Sequence, residues 1–406
     1  MKYTFKDICT KIGSGATPTG GKEAYKGGDY ALVRSQNVLD YTFTTSGLAY
    51  INETQAKKLD GVKVEAGDVL LNITGDSVAR ACIIPDEILP ARVNQHVAII
   101  RANNQYALNE YLLYFLQYNK QYLLSISQGG GTRSAITKKM IEDIEIDLPS
   151  IEDQLAIVNI INSISKKIEV NQQINDNLEQ QAQTLYKSWF VDFEPFKDGE
   201  FIESEIGEIP AGWSIVKFGD IVEIPKKTIN PQKFPDTIFN HYSLPACDNG
   251  LIAEAQAGKD IMSNKIILQS NTTLFSKLNP RIKRIWFTCE VLPNSICSTE
   301  FIPYRAKIDT EYSYIFSIVN SDAFYSSVMG CVNGATGSHQ RFHAEDTEDF
   351  LCAYNKDAVN EFSKLIEPVL KQMHDLRQEN VKLALTRDTL LPKLMSGELK
   401  INDLDC

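Results

Sequence analysis

The sequence predicts an α+β protein: two α/β heads joined by two long antiparallel coiled-coil helices, arranged as an internal repeat with a pseudo-twofold axis. Three observations carry this prediction. A stretch of about 34 residues occurs twice, near 157–190 and near 362–395. Each copy closes a segment of similar length. Each segment opens with short β-branched and apolar runs flanked by Gly and Asp, the signature of buried strands.

The repeated stretch is a heptad seam. Ile157, Ile161, Ile164, Ile168, Asn171, Asn175, Leu178, Ala182 and Leu185 alternate at spacings of four and three, as do Phe362, Ile366, Val369, Met373, Leu376, Asn380, Leu383, Arg387 and Leu390. A seam of this period belongs to a helix lying along another helix. At a constant offset of 205, Gln173/Gln378, Asn175/Asn380, Leu178/Leu383, Thr184/Thr389 and Leu185/Leu390 are identical, which argues for duplication over coincidental core packing. The second head is tethered to the end of one helix and the start of the other, so antiparallel pairing follows. Asn175 and Asn380 then face each other near the axis, where a buried polar pair fixes register. A helix of that length spans roughly 50 Å, the reach of about 15 base pairs of duplex.

Residues 1–149 read as the first head. Lys6-Asp7-Ile8 opens it, and Ser14 to Gly21 breaks regular structure. Tyr30–Val33, Gly67–Ile73 and Val97–Ile100 are the expected strands, and Tyr111–Leu124 the helix packed on them. Residues 150–192 form the first long helix, started by Ser150-Ile151-Glu152-Asp153, a capping hydroxyl followed by acids. Residues 193–212 are expected to be a linker. The second head, 213–354, opens as the first did, with Phe218, Asp220 and Ile221 standing for Phe5, Asp7 and Ile8. Thr272–Ser276 mirrors Asp68–Asn72. The second long helix takes 355–396, and 397–406 is a tail.

Charge narrows the function classes. The net charge of −11 is concentrated in residues 150–205, which hold 4 basic and 11 acidic side chains, whereas residues 1–149 are neutral with 16 of each. The acidic first helix suits a solvated face or the docking of basic partners. Eight scattered cysteines without Cys-x-x-Cys suit reduced thiols, and there is neither an apolar leader core nor a run long enough to span a bilayer, so a cytoplasmic protein is expected. No phosphate loop, zinc-protease motif or serine elbow is present. The Asn/Asp-Pro-Pro-aromatic signature of amino-methyltransferases is also missing, which weighs against a self-sufficient enzyme.

Several loops instead carry groups suited to base edges and phosphates. Asn94-Gln95-His96 precedes a strand, and such amides bind adenine bidentately. Gly131-Thr132-Arg133 lets backbone approach a ligand closely and offers the commonest reader of guanine. Ser338, His339, Gln340 and Arg341 form the corresponding loop of the second head. Lys277, Arg281, Lys283 and Arg284 are the densest basic cluster and suit phosphate.

With these segments in view, the chain resembles the specificity subunits of type I restriction–modification systems over essentially its whole length. The resemblance rests on Ser14-Gly15-Ala16-Thr17-Pro18, Val93-Asn94-Gln95-His96-Val97, Gly130-Gly131-Thr132-Arg133, Leu148-Pro149 with Glu152 and Gln154, and Leu185 to Phe193. In the second half it rests on Ile209-Pro210-Ala211-Gly212-Trp213 and Leu391 to Leu399. The second head departs from the pattern, lacking Asn-Gln-His and carrying His241-Tyr242-Ser243-Leu244-Pro245-Ala246 where the first has Leu32-Val33-Arg34-Ser35-Gln36. The resemblance implies a non-catalytic reader of double-stranded DNA whose heads are target-recognition domains, each taking half of a bipartite site. Ser35, Gln36, Asn37, Asn72, Arg80 and Tyr242 join the loops above as the DNA-contacting set it implies. The helix seam of Ile161, Ile168, Asn175, Leu178, Ile366, Met373, Asn380 and Leu383 would set the spacer. It further implies two methyltransferase subunits that carry S-adenosylmethionine and methylate adenine at N6, and two restriction subunits that use ATP and Mg. This chain itself would bind no cofactor and no metal. The alternative is a coiled-coil scaffold without DNA specificity.

Overall fold

The computed structural model describes residues 2–18, 25, 27–128, 135–332 and 340–400. It divides into two compact units, Met1–Lys166 with Ala384–Cys406, and Lys167–Leu383. The division cuts both long helices, Ile151–Phe190 and Lys356–Ser396, so each helix belongs partly to each unit.

In the first unit, a four-stranded antiparallel sheet runs in the order Cys9–Ser14, Val97–Ala102, Val69–Asn72, Ala81–Ile83. Val69–Asn72 is buried at all four positions, which is why it reads as an unbroken apolar run and not as an alternating one. A second sheet orders Ala49–Ile51, Tyr30–Val33 and Ala91–Val93, the last two parallel. The single helix expected over 111–124 is two, Asn109–Tyr118 and Lys120–Ser127. Asn119 separates them, its Nδ2 donating back to the Phe115 carbonyl at 2.9 Å, a local bond that competes with the helix ladder. Ser150 caps the first long helix as expected, accepting from Asp153 N at 3.1 Å. Gln154, fully buried, accepts from Leu108 N and donates to the carbonyls of Tyr106 and Pro149, fastening the helix start to the head. Ile157, Val158 and Ile161 share one core with Leu391 and Leu394, so the two helix ends in this unit run past each other antiparallel.

The second unit repeats the first with different residues. Its four-stranded sheet orders Val222–Glu223, Phe301–Ala306, Thr272–Ser276, Ile285–Thr288. Its other sheet contains the same parallel pair, Ile238–Tyr242 with Ser295–Ser298, flanked by Glu254–Ala257. Corresponding hydrogen bonds recur: Phe5 N to Ile144 O at 2.9 Å and Phe218 N to Phe350 O at 2.7 Å; Asn103 N to Ile8 O at 2.7 Å and Lys307 N to Ile221 O at 3.0 Å.

Residues 193–212 are not a featureless linker. They hold a 3-10 turn, Glu194–Phe196, and a hairpin of Phe201–Ser204 with Gly207–Pro210. Phe190, Phe193, Phe196 and Trp213 close on one another at centroid distances of 4.9–5.6 Å. Those aromatic contacts, each adding about 1 kcal/mol beyond the area it buries, fold a segment that has no sequence periodicity.

All eighteen seam positions are buried or half-buried. Within the second unit the helices run antiparallel, with Phe190 against Phe362 at 5.1 Å and Asn171 against Asn380. The expected Asn175–Asn380 pair does not form. Asn171 Nδ2 donates to Asn380 Oδ1 at 2.8 Å and to Glu379 at 2.7 Å, while Asn380 Nδ2 donates to the Ile168 carbonyl at 3.2 Å. The same register puts Leu376 opposite Asn175, whose two amide atoms are buried without a partner. The helices are thus staggered one helical turn from the symmetric asparagine pairing.

Candidate functional site

In each head, three segments meet at one corner. In the first they are the hairpin tip between Val69–Asn72 and Ala81–Ile83, the Asn94-Gln95-His96 turn, and the residue at which the chain returns after 129–134. Ile73 N donates to His96 O at 3.0 Å, and Thr74 bridges Ala135. In the second head, Lys277 N donates to Glu300 O at 2.9 Å, and Leu278 bridges Arg341. The turns correspond in detail: His96 N donates to Asn94 Oδ1 at 3.0 Å, and Glu300 N to Ser298 Oγ at 3.2 Å. Ser298-Thr299-Glu300 therefore occupies the place of Asn94-Gln95-His96.

The first-head corner is a concavity of about 450 Å³ lined by Ser35, Gln36, Thr74, Gly75, Asp76, Ser77, Arg80 and His96. Gly75 and Ala79, both at positive φ, turn the hairpin tip that delivers Arg80. Arg80 makes no ion pair among the described residues, so its guanidinium is available to an anion. The His96 ring is held by Thr74, with Oγ1 2.6 Å from Nδ1, and Gln95 Nε2 lies 3.0 Å from its Nε2. Thr17 donates to Gln95 Oε1. The Ser14-Gly15-Ala16-Thr17 segment lies directly on this turn: Gly15 N donates to Asn94 O at 3.1 Å, and a Cβ on Gly15 would overlap the Val93 carbonyl. Glycine is required here by close approach of two backbones.

Three of the expected first-head contacts are buried and engaged with main-chain groups, Asn72 through its Nδ2 alone, its Oδ1 being buried without a partner. Asn37 accepts from Arg34 N and donates to the carbonyls of Thr44 and Ser46. Asn72 Nδ2 donates to the carbonyls of Ser35 and Val38, tying the central strand to the turn that carries Ser35 and Gln36. Asn94 is 8% exposed and shapes its own turn. They frame the site, and Arg80, Gln95, His96 and the exposed Gln36, whose Nε2 donates to the carbonyls of Ser46 and Gly47, are the side chains it presents. Gly131, Thr132 and Arg133 lie outside the described residues.

The second head distributes its polar groups differently. Tyr242 is a core residue, its ring 4.6 Å from Trp286. Lys283 is also internally committed: its ammonium donates to Asn320 O at 2.6 Å and lies over the Tyr325 ring, and partial burial lowers its pKa. Arg284 forks onto Asp248 at 2.6 and 2.9 Å. Of the predicted basic cluster, Lys277 and Arg281 keep their charges uncommitted among the described residues. Arg341 forks onto Glu300 at 3.1 and 3.2 Å, and Gln340 accepts from Asn279 N through its carbonyl at 2.9 Å. Ser338 and His339 lie outside the described residues. Sequence reading missed Thr74, Asp76 and Ser77 at the first corner and Glu300 at the second. A signal for Glu300 was its place just before the strand at 301–306, where His96 precedes 97–102.

Among the described residues no cluster of His, Cys, Asp and Glu could hold a metal, and no helix is long and apolar enough to cross a membrane.

Comparison with known proteins agrees with this architecture. The family described as the type I restriction modification DNA specificity domain matches residues 1–180. The type I restriction enzyme HindI specificity subunit of Haemophilus influenzae is 31% identical over 91% of this chain and 94% of its own. The MjaIX specificity subunit of Methanocaldococcus jannaschii is 24% identical over 98% and 93%. In fold, the chain is similar to the crystal structure of a type I restriction–modification S subunit from M. genitalium, with a TM-score of 0.55, 12% identity, and 97% and 95% of the two chains covered. The chain belongs to the family of type I restriction enzyme specificity subunits.

Proposed function

We propose that this chain is the DNA-recognition subunit of a type I restriction–modification complex, with each head taking one half of a bipartite duplex site. The observation that carries this reading is the repeated corner. Both heads build the same three-way junction from the same backbone bonds, then fill it with different side chains: Arg80, Gln95 and His96 in one, Lys277, Glu300 and Arg341 in the other. A constant frame with changed polar contents is what reading two unlike sequences requires, because base edges are told apart by donor and acceptor pattern.

On this reading the chain performs no chemistry. Two methyltransferase subunits carrying S-adenosylmethionine transfer the methyl group to adenine N6, and two restriction subunits supply ATP- and Mg-dependent translocation and cleavage. The boundaries 1–149 and 213–354 delimit the two target-recognition domains, with the long helices Ile151–Phe190 and Lys356–Ser396, the folded segment 193–212 between, and the tail 397–406. The test is duplex affinity of the chain assembled with its methyltransferase subunits, measured across salt. A DNA reader loses affinity steeply, roughly 10³-fold or more between 50 and 200 mM if six or more phosphates are contacted. A flat, negligible affinity at all salt concentrations would favour the coiled-coil scaffold instead.

A further inference from the structure

We propose that Arg341 is the residue with which the second head reads a guanine, and that Glu300 is its positioning residue; the proposal rests on the DNA-reading function above. A guanidinium has two flat donor edges. The side edge consists of Nε–H and one hydrogen of Nη2, and the end edge of the other Nη2 hydrogen with one of Nη1. Glu300 takes the side edge: Nε donates to Oε2 at 3.1 Å and Nη2 to Oε1 at 3.2 Å. The end edge faces no partner among the described residues. Its two parallel N–H groups match guanine N7 and O6, two adjacent acceptors in the major groove. Adenine presents an acceptor beside a donor and cannot satisfy both.

The pair is held in place from both ends. Arg341 bridges the hairpin tip at Leu278, and Asn279 N donates to the neighbouring Gln340 carbonyl at 2.9 Å. The Glu300 carbonyl accepts from Lys277 N at 2.9 Å. The Arg341 side chain is 41% exposed and that of Glu300 29%, a setting in which an ion pair adds little to stability. What it supplies is orientation of a planar group, which lowers the cost of ordering that group on binding. Other arginines fail this geometry. Arg284 forks onto Asp248 but its side chain is only 14% exposed. Arg101 has all three nitrogens engaged by Asp68, Glu65 and the Lys63 carbonyl. Arg305 gives both terminal nitrogens to Glu223 and Asp309. In the first head, the places of Glu300 and Arg341 are taken by His96 and Ala135, so among the described residues the device is found in the second head only.

The experiment methylates a duplex library, randomised in both half-sites, with the full chain assembled with its methyltransferase subunits, and sequences the modified products. Wild type is expected to fix a guanine at one position of one half-site. Arg341→Ala should cut discrimination at that position by about tenfold or more and leave the other half-site intact. Arg341→Lys keeps the charge but not the planar fork and should weaken discrimination by less than Arg341→Ala does. Glu300→Gln, of equal shape, should lower discrimination by less, because Arg341 survives but is less well held. Intact methylation of the other half-site certifies that each variant is folded. If Arg341→Ala abolishes all methylation, selection of the same library by binding decides, and an unchanged guanine preference of Arg341→Ala there overturns the assignment. Unchanged half-sites with Arg341→Ala, or equal blurring of both, overturn it as well. A wild-type chain that selects no motif refutes DNA reading itself, and this assignment with it.

Discussion

One substitution made at two equivalent positions should have opposite effects. Asn175 and Asn380 stand 205 residues apart at matching places in the two long helices. Asn175 is 2% exposed and neither its Oδ1 nor its Nδ2 has a partner. Leucine is close to asparagine in shape and removes both orphaned atoms. With each unsatisfied buried group costing roughly 1–3 kcal/mol, Asn175→Leu should stabilise the helix pair by about 2 kcal/mol at the conservative end. Asn380 has both amide atoms bonded, to Asn171 and to the Ile168 carbonyl. Losing two bonds of about 0.5–1.5 kcal/mol each, Asn380→Leu should destabilise by about 2 kcal/mol. Urea unfolding followed by tryptophan fluorescence reads this directly, because Trp189, Trp213 and Trp286 all lie in the unit Lys167–Leu383. Shifts of the same sign at the two positions would refute the staggered register and restore the symmetric asparagine pair.

Three other outcomes follow from the geometry. Gly15→Ala should cost about 1–3 kcal/mol in thermal unfolding, since the new methyl must displace the Val93 carbonyl; an unchanged midpoint would show that the strand end yields freely. Arg80→Ala should relax recognition in the first-head half-site only, read by sequencing of methylated products, and equal loss in both halves would show the heads are not independent. His241 is kept neutral chiefly by burial, which lowers its pKa from the ordinary 6.5; the Lys265 charge acts the same way, against the opposing pull of its bond to Gln256 and the Glu254 charge. The unfolded chain takes up that proton first, so this contribution is present above pH 6.5 and is lost as the pH falls through the lower folded value. His241→Gln should remove up to about 1.4 kcal/mol per pH unit of that slope, and identical slopes for the two proteins would contradict it.

The heptad seam was legible because a period of 3.5 survives any detail of packing. Its register was not, since a stagger of one turn preserves the seam and is decided by how Phe190 and Tyr186 seat against Phe362. The paired openings of the heads were visible from Phe5 and Phe218, both fully buried. Residue type misled where side chains serve the backbone. Asn37, Asn72 and Asn94 look like base readers, but their amide groups bond to main-chain groups, and Tyr242 looks like a contact but packs on Trp286. The correspondence of His96 with Glu300 has no shared residue to reveal it and emerges only from matching hydrogen bonds. The fold of 193–212 was hidden because an aromatic cluster needs proximity and not periodicity.

On the proposed function, this chain chooses where a partner methylates. Base-modification sequencing of DNA from cells that express the methyltransferase subunits, with and without this chain, tests it most directly. Methylated adenines in a split motif with an unspecified spacer are expected with the chain and lost without it. Methylation that is the same in both samples would contradict it.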